Sequence, residues 1–169
     1  MTLTELYLEE MEREVARTRR VLANVPEGRD DWKPHPKSMP LMRLAGLVAV
    51  MPSWVTLIVK QNELDLNPPG GPAKQPSFHC AADLLKGLDG AAASARETLQ
   101  GTNDEFLLTT KWKLLAGGQT VMEEQRNIVL RETINHWSHH RGQLTVYLRL
   151  NNQKVPSVYG PTADDQSFG

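Results

Sequence analysis

The sequence predicts an all-α protein, an antiparallel four-helix bundle with long proline-rich loops, formed by residues 1–169 as one domain. Three observations support this class. Four segments show apolar residues at helical spacing, proline- and glycine-rich stretches separate them, and no segment indicates a sheet. A chain of 169 residues can bury roughly two thirds of the surface that it exposes when unfolded, which is enough for a shared core.

The N-terminal half contains two predicted helices. The first begins at Thr2, because Glu5 three residues later gives the spacing of a capping box, and it extends to about Val25. A loop with four prolines follows. The second helix covers roughly Leu41 to Asn62, and Pro52 predicts a kink within it.

The C-terminal half contains the other two predicted helices, after a second proline-rich linker. An alanine-rich third helix covers about Phe78 to Gln100. The fourth extends from Val121 to Leu150 and follows a second capping-box spacing between Thr120 and Glu123. Between these helices, residues 106–116 are predicted as an extended segment or a small hairpin on the rim of the bundle.

Composition excludes several classes of partner. The net charge of −1, from 19 basic and 20 acidic residues, lacks the basic excess of a nucleic-acid binder. The most apolar stretch, Leu41 to Val59, is interrupted by Arg43 and Pro52 and predicts a buried helix, so we expect no membrane partner. The single cysteine, Cys80, and an acidic N-terminus unlike a secretory signal predict a cytoplasmic protein.

The fourth predicted helix carries three of the five histidines, at His136, His139 and His140. At about 100° per residue, His136 and His140 both lie within an apolar stripe that includes Tyr147, so we expect these three side chains to point inward. Imidazoles at positions i and i+4 can chelate one metal ion. The alternative to a metal site is that each buried imidazole only forms a hydrogen bond with a neighbouring group. Three side chains are predicted to face away from the core: Arg131, Ser138 and Arg149.

The first predicted helix has a carboxylate on its inward stripe. Glu14 and Thr18 each lie about 20° from Tyr7, inside the apolar arc. A buried carboxylate is costly unless it is paired, and a protonated histidine or a metal ion would pair it. The alternative is that the helices splay apart and leave Glu14 in solvent.

Two parts of the sequence resemble the DinB/YfiT-like family. His136 to Tyr147, together with Val155 to Asp165, resembles its C-terminal half, and Leu44 to Trp54 is similar to its second-helix motif. The resemblance implies a four-helix bundle, often a homodimer, that holds a divalent metal such as zinc or nickel with three histidines. Two of these would be His136 and His140. The position matched to the third is Leu47, which has no lone pair to donate.

The missing histidine predicts an incomplete metal site, with metal substoichiometric or absent. Glu14 is the first candidate for a replacement ligand, which would give a site of two histidines and one carboxylate. Weaker candidates are Met51, His79, Cys80 and His35. The resemblance further implies a small-molecule substrate, either for hydrolysis or for a transferase reaction with a low-molecular-weight thiol.

Three functions remain open from the sequence. The first is a metal-dependent enzyme that uses the His136–His140 pair. The second is a metal-free protein whose pocket still binds a small molecule, with Leu47 packed where the histidine is missing. The third is a structural module that acts through dimerisation, for which Ile134, on an otherwise polar helix face, is a hint.

Overall fold

Six helices and a three-stranded sheet make up the part of the chain that the structure, a computed structural model, describes, namely residues 1–71 and 76–168. The fold class is therefore mixed α/β, and the all-α prediction is wrong. The proline-rich linker before the third predicted helix includes residues 72–75, which lie outside the described residues. In chain order the elements are α1 (Leu3–Leu22), α2 (Leu41–Val50), α3 (Ser53–Lys60), β1 (Glu63–Asp65), α4 (Ala81–Gln100), α5 (Asp104–Thr109), β2 (Lys111–Ala116), β3 (Gln119–Gln125) and α6 (Arg126–Leu150).

The N-terminal capping box is confirmed. The Thr2 hydroxyl accepts a hydrogen bond from the Glu5 backbone N–H at 3.1 Å, and the Glu5 carboxylate accepts one from the Thr2 N–H at 2.7 Å. These two contacts satisfy N–H groups that have no partner within the helix. They set the start of α1 at Leu3.

The second predicted helix is broken where Pro52 predicts a kink. Its two parts, α2 and α3, are bent by 51° relative to each other. Proline has no N–H to donate to the preceding turn, and its ring displaces the carbonyl four residues earlier. The Ser53 hydroxyl donates a hydrogen bond of 2.7 Å to the Val50 carbonyl, which lies at the break between the two helices. No single helix among the described residues is long and apolar enough to cross a membrane; α2 and α3 reach that length and composition only together.

The sheet occupies the region where the fourth helix was predicted to begin. Strand β1 pairs with β2 in parallel, and β2 pairs with β3 in antiparallel orientation. The turn between β2 and β3 contains Gly117 and Gly118, with φ values of 62° and 79°, which glycine adopts without steric cost. Thr120 and Glu123 lie on β3 and form no helix cap, so that prediction is wrong. Of the segment predicted to be extended, residues 106–116, only residues 111–116 form a strand, β2, whereas residues 106–109 belong to the short helix α5.

Two apolar clusters hold these elements together. The larger one joins the C-terminal end of α1 to α2, α4 and the C-terminal half of α6, and the Trp137 indole N–H anchors it by donating to the Val48 carbonyl at 2.8 Å. The smaller one joins the N-terminal part of α1 to α3, the end of α4, α5, the sheet and the start of α6, with Trp112 of β2 buried within it. Together they place α6 against both α1 and the bent α2–α3 pair.

Candidate functional site

The orientation of α6 decides which of its polar residues meet in the interior. Its buried side is formed by Leu130, Thr133, Trp137, Arg141, Leu144 and Leu148, together with Val129 and Tyr147. This side is rotated by about one residue, roughly 100°, from a stripe centred on His136. Burial of Tyr147 and exposure of Arg131 and Arg149 are confirmed. Ser138 was predicted to face away but is half-buried. His136 and His140 were predicted to point inward; His136 is exposed, so that prediction is wrong for it, and His140 is only half-buried.

The two histidines nevertheless meet. The Nε2 atom of His136 lies 2.8 Å from the Nε2 atom of His140, and the ring centroids are 4.6 Å apart. Both rings lie on one side of α6 because four residues correspond to slightly more than one helical turn. Their ligating nitrogens therefore face the same point in space.

Gln143 fixes the orientation of one of these rings. Its Oε1 atom lies 2.8 Å from Nδ1 of His140. Because an amide oxygen can only accept a hydrogen bond, Nδ1 of His140 carries the proton, and Nε2 of His140 accepts a hydrogen bond from the Nε2–H of His136. Polar groups that orient a metal-binding histidine in this way are a common part of metal sites. We did not identify Gln143 from the sequence, although it lies one turn beyond His140.

The surroundings of His136 disfavour its charged form. Burial lowers the pKa of His136, and the neighbouring His140 and His139 lower it further. The Trp54 ring packs edge-on against the imidazole, with centroids 5.5 Å apart. A neutral imidazole is the form that can donate a lone pair to a metal ion.

Leu47 and Trp54 line a cleft beside this pair. The cleft has a volume of about 620 Å³, and most of its walls are apolar. Its lining consists of Met39, Met42, Arg43, Gly46, Leu47, Val50, Trp54, Pro76, Ser77 and Phe78. A pocket of this size and character is typical of small-molecule sites. Because Trp54 contacts both the cleft and His136, the two features are adjacent.

The described residues complete only part of a metal site. The two Nε2 atoms share a hydrogen bond, and they could supply two ligands to a metal ion only if the ion displaced the proton between them; zinc binds imidazole nitrogen at about 2.0–2.1 Å. Within residues 1–71 and 76–168, however, no group of three His, Cys, Asp or Glu side chains is arranged to hold a metal ion. The residues therefore fit a two-histidine site with its other positions open to water or to a ligand.

Glu14 is buried as predicted, but its partners are cations from the protein. The carboxylate is fully buried, and its Oε2 atom lies 2.5 Å from a guanidinium nitrogen of Arg141, which is itself 1% exposed. Arg17 pairs with the other carboxylate oxygen. The alternative in which splayed helices leave Glu14 in solvent is therefore wrong, and Arg141, rather than a histidine or a metal ion, supplies the paired charge.

The C-terminal segment completes this cluster. The Tyr159 hydroxyl donates to Oε2 of Glu14 at 2.9 Å and lies 2.5 Å from a nitrogen of Arg141. The hydroxyl of Ser138 contacts the same oxygen at 3.3 Å. Burial by itself would raise the pKa of Glu14, but the charge of Arg141 and the hydrogen bonds from Arg17, Arg141 and Tyr159 outweigh it and lower the pKa. Glu14 is therefore a carboxylate in the fold.

These features define a class of protein, one with a helical core, a small sheet and a paired-histidine site on its last long helix. Comparison with known proteins gives the family. The model of the DinB family matches residues 1–167, and the chain belongs to that family. Members of the DinB family are generally associated with metal ions.

Two solved structures share the fold. A DinB-like protein from Bacillus cereus ATCC 10987 superposes with a TM-score of 0.68 at 24% identity, over 92% of this chain and 97% of that one. The DinB-like protein YjoA from Bacillus subtilis superposes with a TM-score of 0.67 at 14% identity, over 95% and 99% of the two chains. No curated protein matches the sequence.

Proposed function

We propose that this protein is a metal-dependent enzyme of the DinB type in which His136 and His140 hold a divalent transition metal, zinc or nickel, only weakly. The observation that carries the proposal is the approach of the two Nε2 atoms to 2.8 Å, with Gln143 holding the tautomer that directs a lone pair at the shared point. Two imidazoles bind less tightly than the usual three protein ligands, because Leu47 contributes none.

The chain's own residues would prepare this site and the molecule that it acts on. When bound, the metal would supply Lewis-acid activation of water or of a thiol. Gln143 orients His140, Trp54 shields one side of His136, and the apolar walls of the cleft would bind the organic part of a substrate. We propose a small molecule as this substrate, with a low-molecular-weight thiol as the cosubstrate in the transferase form of the reaction.

Glu14 remains the proposed third ligand only if it leaves its present partners. Its oxygens contact Arg17, Arg141 and Tyr159, and a metal would have to compete with two guanidinium groups for them. The sequence-based ligand set of His136, His140 and Glu14 is therefore tested one residue at a time.

Isothermal titration of untagged protein with zinc tests the proposal. We expect less than one metal per chain after purification and weak binding of one added ion. His140→Ala should abolish binding, and Leu47→His should tighten it. Gln143→Ala should weaken it by roughly tenfold or more, since residues that orient metal-binding histidines commonly contribute this much. Glu14→Gln, titrated under conditions in which circular dichroism shows it to be folded, weakens binding only if the carboxylate is a ligand. Binding that survives His140→Ala would contradict the proposal.

The second candidate is a metal-free protein that binds a small apolar molecule in the cleft. The observation that favours it is the position of Leu47, which lines the cleft together with Trp54. In the presence of a chelator, Leu47→Arg would then block binding of a fluorescent apolar probe, whereas His140→Ala would leave it unchanged. Equal loss with both variants would contradict this candidate.

We also propose that the protein is a cytoplasmic homodimer without nucleic-acid or membrane partners. The near-neutral charge and the single cysteine support this, as does the partly exposed Ile134 on α6. Light scattering during size-exclusion chromatography measures the mass directly, and a monomer at micromolar concentration would contradict the dimer.

A further inference from the structure

Arginine side chains border a surface concavity on α1, away from the histidine pair. The concavity has a volume of about 640 Å³ and is lined by Arg13, Ala16, Arg17, Arg19 and Arg20. We call it the arginine groove. Arg13, Arg17 and Arg20 follow one another at intervals of four and three residues, so they project from the same side of the helix. No carboxylate lines the groove.

Positive charges at neighbouring positions on one side of a helix, such as those of Arg13, Arg17 and Arg20, repel one another unless an anion neutralises them. The attraction between cations and the helix C-terminus explains only part of the pattern, because it is confined to the last turn and Arg13 and Arg17 precede that turn. Ala16 lies between the arginines and leaves space between their side chains. The side of α1 therefore combines positive charge with an open concavity.

The acidic residues nearby neutralise the groove incompletely. Arg13 pairs with Glu9 on the same exposed side of α1, and Arg19 pairs with Asp89 of α4. Arg17 pairs with Glu14, but this carboxylate is shared with Arg141.

Arg20 forms no ion pair with any residue in the described parts of the chain, and its buried Nε–H has no hydrogen-bond partner there. The nearby Asp165 carboxylate accepts from the backbone N–H groups of Ser157 and Ser167 instead. Arg20 is thus half-buried, and although its charge attracts the Asp165 carboxylate, it has no direct acidic partner in the described parts of the chain.

One of the guanidinium groups is already held in place. The Arg17 guanidinium lies over the Tyr159 ring, 4.6 Å from the ring centroid, and is 23% exposed. A stacked guanidinium has lost part of its freedom before a ligand arrives, so less entropy is lost on binding. The planar arginine fork also matches the oxygen atoms of a phosphate group.

We propose that the arginine groove binds a small soluble anion with more than one phosphate group. At about 1.5 Å of rise per residue, the backbone positions of Arg13 and Arg20 are about 10 Å apart, which suits a chain of phosphates better than a single one. The groove lies on α1, outside the cleft beside the histidine pair, so the ligand would be a regulator or a second substrate. This inference does not depend on the proposed metal site.

Titration calorimetry with inorganic tripolyphosphate at fixed ionic strength tests the proposal. We expect one ion per chain, with Arg13→Gln/Arg20→Gln weakening the affinity by roughly tenfold or more. The matched control, Arg29→Gln/Arg131→Gln, removes the same two charges from exposed positions elsewhere and should change the affinity by less than about twofold. Equal weakening by both pairs, or no binding by the wild type, would overturn the proposal.

A second measurement uses only the wild-type protein, so it does not depend on the variants folding. The arginine Nε–H resonances of Arg17 and Arg20 should shift as tripolyphosphate is added, while that of Arg43 should not. Sulfate at the same ionic strength should cause smaller shifts. Shifts spread evenly over all arginines would also overturn the proposal.

Discussion

At the scale of single residues, the most costly feature of the interior is the ion pair between Glu14 and Arg141. Both side chains are removed from water; Arg141 has Glu14 as its acidic partner, whereas Glu14 also pairs with Arg17. Thr18 supplies a further acceptor, 3.1 Å from an Arg141 nitrogen. Loss of Glu14 would leave the buried charge of Arg141 uncompensated, which is a much larger effect than loss of a surface pair.

Glu14→Gln should therefore lower the free energy of unfolding by about 3–5 kcal/mol. The amide keeps the shape of the side chain but leaves Arg141 without its countercharge. Glu12→Gln is the matched control, because Glu12 lies on the same helix and pairs with Arg96 at the exposed surface; it should cost about 1 kcal/mol or less. Urea unfolding followed by circular dichroism measures both. Similar losses for the two variants would show that the buried pair is no more important than the surface pair.

The contribution of Glu14 should also depend on pH. Its pKa in the fold lies below the ordinary value of 4.5, so its stabilising effect is complete above that value and is lost as the pH falls through the lowered pKa. The stability difference between wild type and Glu14→Gln should thus be constant near neutral pH and should narrow as the pH falls below about 4.5. A difference that widens towards acid pH would contradict the lowered pKa.

Sequence reasoning located the polar residues of α6 but not their partners. The interior position of Glu14 was predictable from spacing, because the first helix has an otherwise apolar stripe. The interior position of Arg141 was not predictable from spacing. An arginine is not expected within an apolar stripe, and Leu144 and Tyr147, which do lie on the buried side, fit a stripe centred on His136 equally well. The pairing of Arg141 with Glu14 joins residues far apart in the chain, and helical periodicity contains no information on that.

At the scale of secondary-structure elements, the sheet depends on its glycine turn and on one acidic side chain. Asp65 of β1 accepts hydrogen bonds from the N–H groups of Gly117 and Gly118, at 2.8 and 2.7 Å. These contacts lower the pKa of Asp65, together with one from the Asn67 N–H that lowers it most. The turn between β2 and β3 is thereby fixed to the strand on the other side of β2.

Gly117→Ala should destabilise the protein by about 1–2 kcal/mol, because a side chain at a φ of 62° meets its own backbone. The control is Gly90→Ala in α4, where an added Cβ meets nothing within 4 Å and the backbone is helical. That variant should stabilise by up to about 1 kcal/mol. Thermal unfolding of both variants gives effects of opposite sign, and a neutral result for Gly117→Ala would contradict the turn geometry.

The sheet was not predicted from the sequence, because the pairing of β1 with β2 joins residues far apart in the chain and leaves no pattern within a short stretch of sequence. Residues 119–125 contain a Thr-x-x-Glu spacing, at Thr120 and Glu123, which is typical of the start of a helix. The Gly117–Gly118 pair before it is typical of a hairpin turn, but the prediction followed the helix signal. Strand β1 has only three residues and pairs with residues 113–115, about fifty positions later. By contrast, the helices with strong periodicity and a proline boundary were located well, including the break at Pro52.

At the scale of the whole molecule, the C-terminal segment ties the last helix to the first. After α6 the chain turns back, and Asp164 accepts from the Val155 N–H at 2.9 Å and pairs with Arg149. This turn brings Tyr159 to the buried pair of Glu14 and Arg141. Residues 155–165 thus contribute to the interior although much of the segment lies at the surface.

Tyr159→Phe should lower the free energy of unfolding by about 1–3 kcal/mol, because the hydroxyl bonds to charged groups. Hydrogen exchange followed by mass spectrometry should also show faster exchange in residues 155–165, with α4 unchanged. Thr4→Val offers a comparison, since it removes a hydroxyl that bonds the half-buried Asp104 carboxylate near the start of α1. Unchanged exchange in the C-terminal segment would contradict its dependence on Tyr159.

The contacts of Glu14 with Arg141 and Tyr159 have a consequence for biosynthesis. The Glu14 carboxylate is translated early, but its partners Arg141 and Tyr159 follow 127 and 145 residues later. Until Arg141 and Tyr159 have left the ribosome, the Glu14 carboxylate on the inward side of α1 has no buried group with which to pair. The first helix of the nascent chain should therefore stay loosely packed until Tyr159 has been made, and this part of the interior should then form in one late step.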